Sequence, residues 1–481
     1  MTTEAVCSDP EKPVVRVPPV ALALFGLLLL LPVPAAATEA PTVEIDGVSV
    51  PADDEGRAHG SFESLHANGE VAVRGAYNRG QLHGLHKTYD EAGRLLVQRT
   101  YRKGQLHGSW KDYHPNKRLK LVTAYRNGKL NGSYLERDPK GLTVLKTTYK
   151  DGKIHGKLQA FEGRRAVSTQ RWKHGVPTDI DGVAPFPRSQ EEITSEVERL
   201  LSGDGALSDV PLEVDRELAL RYLKAYRCIH GVPYDDVAID PSHQAHAQAA
   251  AEVCRDLGHI THYPENPGWG KDRFDFAAIG TKSSNLAQGM IACTSIRGYM
   301  DDSDARNIEK VGHRAWCINP KMSHTGFGTV DRFSAMWSIS GGRKSVPDYE
   351  FVSVPPAGHA PGPWFGTHWA WSCSLSKKHW DAPKGDIKVE VVPVGETFLP
   401  AGKPLALNHQ SVLAKSAGIP YMVVFRPVGF SLDAGTRYRV TIDGLTRKGK
   451  PTMLRYYVSF FDLAYPTPRV PRAKAETTAA R

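Results

Sequence analysis

The sequence predicts a multi-domain α+β chain: a sheet of β-hairpin repeats, then helices packed over a central sheet, then a small β-sandwich. Three observations predict it. One motif recurs every 24 residues between positions 77 and 156. Capped helical patterns follow between 211 and 300, and short alternating runs broken by turn residues occupy 387 to 463. At 481 residues the chain exceeds one ordinary core, and ~100–200 residues per domain suggests about three domains.

Ahead of these domains stands a targeting pattern. A mixed-charge stretch ends at Arg16, an apolar run covers Val20 to Val33, and Ala35-Ala36-Ala37 offers a cleavage site. Residues 1–37 read as a secretory signal peptide, because the run is shorter than the ~20 residues that cross a bilayer. An uncleaved anchor is the competing reading. No second long apolar stretch follows, so a secreted, periplasmic or otherwise extracytoplasmic protein is expected, with no transmembrane span after cleavage. Export permits disulfides. Beyond Cys7 the chain carries Cys228, Cys254, Cys293, Cys317 and Cys373, an odd set that allows at most two internal bridges; buried free thiols are the alternative.

The repeats occupy 55–180. Tyr77, Tyr101, Tyr125 and Tyr149 lie 24 residues apart, and so do Gly84, Gly108, Gly132 and Gly156. Between each pair runs a near-constant phrase such as Tyr101-Arg-Lys-Gly-Gln-Leu-His-Gly108, and a degenerate copy ends at Gly175. Asn127-Gly128 and Asp151-Gly152 are two-residue hairpin turns, since both central positions of that turn need positive φ. The flanking runs are β-branched and partly alternating, as half-buried strands are. Each unit is then a hairpin that buries its apolar face only against its neighbours, and the array is one elongated single-layer sheet. These copies resemble MORN-type repeats of the toxin-antitoxin immunity-like kind. The region holds 24 Lys and Arg against 11 Asp and Glu, a net +13, while the whole chain carries +9. One exposed face rich in Lys, Arg, Tyr and His is expected. It would contact an anionic envelope component or a protein partner, or serve as a spacer whose lysines protect the strand edges. Nucleic acid is not expected as a partner, because no groove-reading motif is present.

A linker with Pro177, Pro185 and Pro187 ends the repeats, and Ser189 to Leu201 reads as a short amphipathic helix. A first central helix is expected from Pro211 to Ile229. A second starts at the Asp240 cap with Pro241 and stops at Gly258. A third is expected from about Ser284 to Met300, and strands at Arg314 to Ile318, His324 to Val330 and Ala335 to Ile339.

Within this stretch stand Ser283-Ser284-Asn285-Leu286-Ala287, Tyr299-Met300-Asp301-Asp302, Gly312-His313-Arg314-Ala315-Trp316 and Thr325-Gly326-Phe327-Gly328, with His262 upstream. In that order they resemble the CAP superfamily of cysteine-rich secretory proteins, antigen 5 and pathogenesis-related proteins, over roughly Leu212 to Ile339. The resemblance implies a CAP/SCP-like α-β-α sandwich at 205–380. It also implies a cavity in which two His and two Glu can hold a divalent metal, zinc or magnesium. Residue by residue it makes His262, Asp302 and His313 metal ligands and places Ser284 and Asn285 as ligand-binding residues. The chain departs from the family where Ser284 replaces one Glu and the shorter Asp302 the other, which lowers metal affinity. The structural alternative treats His262 and His313 as hydrogen-bonded core residues and Asp302 as a helix-end carboxylate. Ser284, His313 and Asp302 also contain the residue types of a nucleophilic triad, but no G-x-S-x-G elbow surrounds Ser284.

From Lys344 to Lys384 the chain is rich in Pro, Gly and Trp and reads as a loop extension capping the cavity, with an aromatic ligand surface as the alternative. Residues 385–465 fit an immunoglobulin-like β-sandwich, with Asp443-Gly444 as one of its turns, and 466–481 form a basic, disordered tail. The function expected is non-catalytic binding at the cell envelope or outside it. A metal-assisted, peptidase-like hydrolase and a pure interaction scaffold are the alternatives.

Overall fold

The computed structural model describes residues 41–202, 211–339, 342–415 and 418–466. The signal pattern at 1–37 and all but the first residue of the basic tail lie outside the described residues. The chain divides into two compact units, one ending at Ala184 and the other beginning at Pro185.

In the first unit the repeats build one 13-stranded sheet whose main path follows chain order, with two short strands, Gln81–Leu82 and Lys153–Ile154, pairing off that path with Val71–Asn78 and Thr143–Lys150. Every pairing is antiparallel, from Gly60–Leu65 against Val71–Asn78 to Arg165–Lys173 against Val176–Ile180. The turns have the predicted geometry: Asn127 and Gly128 sit at φ 50° and 79°, Asp151 and Gly152 at 51° and 85°. Arg79-Gly80 and Lys103-Gly104 adopt the same conformation, so all these turns fall along one edge of the sheet.

The expected single face of Lys, Arg, Tyr and His divides in two. Register pairs His86 with Arg99 and Trp110 with Thr123, so Phe62, His86, Trp110 and Tyr134 form one row. Tyr77, Tyr101, Tyr125 and Tyr149 pack against that row as ring pairs 5.1 to 5.7 Å apart. Eight of the exposed cations lie elsewhere, at the turn edge. Alternation along each strand is the cause: Tyr points to the aromatic face, and the Lys or Arg after it enters the turn.

The second unit overturns the expected α-β-α sandwich. Strand makes up 42% of the described residues and helix 19%, in large antiparallel sheets with only six α-helices. Helices α1 (Gln190–Leu201), α2 (Leu212–Ile229), α3 (Pro241–Leu257), α4 (Lys271–Ser283), α5 (Ala292–Asp301) and α6 (Gly312–Cys317) surround a three-stranded sheet of Ser284–Gln288, Phe333–Trp337 and Phe327–Val330. Two further four-stranded sheets follow. The physical reason lies in the segment expected to be a capping loop, which supplies the strands Phe351–Val354, Gly358–Pro361 and Trp371–Leu375 to those sheets. Trp364 and Trp371 are buried in one apolar cluster with Tyr222 and Tyr226 of α2. Helices α1, α2, α5 and α6 therefore bury their apolar faces in one core with the last third of the chain, while α3 and α4 pack on the three-stranded sheet in a smaller cluster with Leu286 and Ala335. Trp371 meets Phe430, Tyr438 and Phe460 edge-on, so the two four-stranded sheets share this core as well.

Local expectations met mixed outcomes. Ser189 forms a full capping box with Glu192, and Asp240 caps α3 with Pro241 in its first turn. Ser284 begins a strand rather than a helix, Arg314 lies in α6 rather than a strand, and α4 was not anticipated. Asp443-Gly444 makes a bulge inside the strand Arg437–Arg447 instead of a turn. All five described cysteines are free and buried. The chain closes by tucking Tyr465 against Tyr222 and Trp364, while the Tyr222 hydroxyl donates to the Pro466 carbonyl.

The Thr325-Gly326-Phe327-Gly328 run acquires a packing reason. Phe327 is fully buried in the main core, while a Cβ at Gly326 or Gly328 would overlap the α3 backbone at His243–Gln244 or at Ala247. Backbone atoms cannot yield as side chains do. Gly328→Ala should lower stability by about 1–3 kcal/mol, read as a drop in denaturant midpoint at unchanged slope.

Candidate functional site

The polar cluster is built where α5 ends and α6 begins. Asp302 terminates α5 in the left-handed region at φ 45°, and its backbone N–H donates to the Gly298 carbonyl. That turn aims its carboxylate, 1% exposed, at the start of α6. There Oδ1 meets His313 Nδ1 at 2.7 Å, and Oδ2 accepts the His313 backbone N–H at 2.8 Å. Val311, a fully buried β-branched residue, is held at φ 39° just before α6. Such a conformation persists only where the surroundings enforce it, and it fixes the direction from which His313 approaches.

His313 is 24% exposed. Burial disfavours its charged form, but the hydrogen bond that it donates to Asp302 and the charges of Asp302 and Asp304 outweigh this and raise its pKa above the ordinary value. Asn285 ties the strand below to the same place: its Nδ2 donates to the His313 carbonyl at 3.0 Å and lies 3.7 Å from Cys317 Sγ. Tyr299 donates its hydroxyl to the Asn285 carbonyl at 3.1 Å, and its ring centroid is 5.8 Å from that of His313. Burial pushes both the Tyr299 hydroxyl and the Cys317 thiol well up, so both stay protonated.

Arg314, fully buried, locks the cluster to the C-terminal sheets. Its guanidinium donates to the Met300 carbonyl at 2.7 Å, the Ala370 carbonyl at 2.7 Å and Ser372 Oγ at 3.2 Å, and also to the Asp301 carbonyl. Asp301 Oδ2 in turn lies 2.7 Å from His368 Nε2. The chain thus sets two carboxylate–imidazole pairs on consecutive residues. The motif reading found one of them; His368 and its partner Asp301 carried no spacing signal.

The structure gathers Asn285, Asp302 and His313. His262 is exposed on the loop after α3, its Nδ1 2.7 Å from the Thr281 carbonyl at the end of α4. Ser284 pairs with Trp337 across the sheet, and its buried hydroxyl has no hydrogen-bond partner. Among the described residues no group of three or more His, Cys, Asp or Glu is arranged to hold a metal ion. Both Asp302 oxygens are already engaged by α6, so His262, Asp302 and His313 do not form a fitted ligand set and no chemical step is assigned to a metal.

No family model matches the chain, and no curated protein matches it significantly.

The second candidate surface is the turn edge of the repeat sheet. Arg79, Arg102, Lys103, Arg126, Lys129, Lys150, Lys153 and Lys173 are all exposed there, with Asp151 as the acidic residue in the same turns. Successive turns are two strands apart, a step of about 9.5 Å. Near the middle, Arg126, Asn131, Lys150 and His155 line a shallow depression of ≈ 340 Å³. The opposite edge is mixed, with Glu70, Asp90, Glu91 and Asp138 among its loops. Among the described residues no helix is long and apolar enough to cross a membrane.

Proposed function

We propose that this chain is a non-catalytic binding protein of the cell envelope or extracellular space, gripping an anionic envelope polymer along the turn edge of its repeat sheet. The observation that carries this reading is the comb of eight exposed Lys and Arg at a fixed step on one edge. A periodic row of like charges repels itself, and a polyanion with regularly spaced charges relieves the repulsion at every step. The resemblance of the copies to MORN-type repeats accords with an interaction role. The test is equilibrium binding of the full chain to a poly(glycerol phosphate) at low and high salt. Affinity should fall steeply with salt. The Lys103→Glu, Arg126→Glu, Lys150→Glu triple variant should lose on the order of a hundredfold, with little change in stability because all three side chains are exposed. Salt-independent binding, or an unaffected triple variant, sinks the reading.

The Asp302–His313 pair favours a second reading, a hydrolase. A buried carboxylate that holds one imidazole nitrogen leaves the other free to act as a general base, as in oriented acid–base pairs elsewhere. Loss of peptide or cell-wall hydrolysis in His313→Ala would support it, and an inert wild type would end it.

A further inference from the structure

The face of the repeat sheet away from the main cationic comb carries a different surface. We propose that the aromatic row is a subsite for an extended, uncharged glycan of β-1,4-linked sugars lying across the strands. Four ring pairs line it: Phe62 with Tyr77, His86 with Tyr101, Trp110 with Tyr125, and Tyr134 with Tyr149, at centroid separations of 5.1, 5.7, 5.2 and 5.6 Å. Each pair stands two strands beyond the last, a step of about 9.5 Å, so the row runs about 34 Å from Phe62 to Tyr149. All eight rings are partly exposed. An extended glycan presents two pyranose rings per repeat, alternately turned, and their C–H faces stack on aromatic rings.

A second observation points to a hydroxylated occupant. His86 Nδ1, Arg99 Nε, Thr123 Oγ1 and Thr147 Oγ1 are buried without a hydrogen-bond partner. Register places all four in the same row as the rings: Arg99 opposite both His86 and Trp110, Thr123 opposite both Trp110 and Tyr134, and Thr147 opposite Tyr134. Thr123 is 4% exposed and Thr147 2%. Buried polar groups are nearly always paired, so unpaired ones recurring at the repeat spacing mark places where a partner is missing. A ring that turns aside for an incoming sugar uncovers a hydroxyl with no bond to lose.

Charge on this face selects a neutral chain. The charged groups in and beside the row lie against Trp110: the Arg99 guanidinium is 4.1 Å from its ring centroid, and Asp112 accepts its indole N–H at 2.6 Å. A polyanion would find no free cation here, unlike at the turn edge.

The experiment titrates the full chain with hexamers of β-1,4-linked glucose and N-acetylglucosamine, reading tryptophan fluorescence and calorimetry at low and high salt. Binding should be saturable and insensitive to salt. It should weaken roughly tenfold in Tyr134→Ala, the loss of one stacking platform. Thr123→Val with Thr147→Val should weaken it similarly while leaving thermal stability equal or higher, because each hydroxyl removed is unpaired in the fold. That split separates a binding role from a structural one and stands even if Tyr134→Ala folds poorly. The triple variant of the turn edge should bind the hexamers normally. No binding of either hexamer overturns the proposal. So does binding that salt abolishes, or capture of a proline-rich peptide or single-stranded RNA in place of the glycans.

Discussion

Replacing Arg314 with Met should cost roughly 3–5 kcal/mol of stability and lower the melting temperature of the second unit by on the order of 10 °C. The side chain is fully buried, and its partners are carbonyl and hydroxyl oxygens drawn from two separate segments, Met300–Ser303 and Ala370–Ser372. Methionine fills most of the volume but leaves those oxygens without donors in a dry site, and each such oxygen carries its own desolvation penalty. Burial pulls the Arg314 pKa down to about 10, with Asp302 and Asp301 opposing, so the group remains charged at neutral pH. Arg314→Lys should recover little, since one ammonium cannot span a fork of acceptors on two segments. Thermal melts of the three proteins decide the matter; a Met variant that melts with the wild type would mean the segments are joined without this side chain.

The second large effect concerns His313. In Asp302→Asn the carboxylate charge is gone while the burial that disfavours imidazolium remains. The His313 pKa should therefore move from above its ordinary ~6.5 to below it, as followed by NMR of the ring protons. The sign in stability follows from linkage. A folded-state pKa above the unfolded value means protonated His313 stabilises the fold below pH ~6.5, and this contribution is lost as pH rises through the raised folded value. Wild-type stability should thus decline across the neutral range through this group, and in Asp302→Asn that decline should disappear or reverse. An unchanged His313 titration in the variant would show that Asp302 does not control it.

Much of the repeat sheet was legible because its rules are local. A Gly that must sit at positive φ, a two-residue turn and an alternating run all act within one 24-residue copy, and each copy repeats the statement. What the copies did not reveal is that Tyr101 and Arg102, adjacent in sequence, serve different surfaces. Helix boundaries were readable at Ser189 and Asp240, where a cap is a side-chain bond within three residues. The α-β-α expectation failed on non-local grounds: nothing near Tyr226 announces that its ring will meet Trp364, 138 residues later. At the candidate site, Asp302 and His313 were singled out by wording as metal ligands, and the structure sets them against each other at 2.7 Å. Asp301 with His368 spans 67 residues and Arg314 reaches Ser372 over 58, beyond any spacing rule. Ser284 read as a helix residue because Leu286 and Ala287 follow it, while its strand is imposed by pairing with Phe333–Trp337.

The tucked end of the chain also sets a clock on assembly. Tyr222 of α2 and the Pro466 carbonyl are 244 positions apart, so the groove between α2 and Trp364 stays open until Tyr465 and Pro466 have been made. A repeat hairpin, by contrast, can close as soon as its own two strands emerge. During synthesis the sheet would mature first, while the helices wait with aromatic side chains uncovered. The interval before Tyr465 arrives is the period of greatest exposure to proteases and to self-association, and a chain cut before Tyr465 would never leave it.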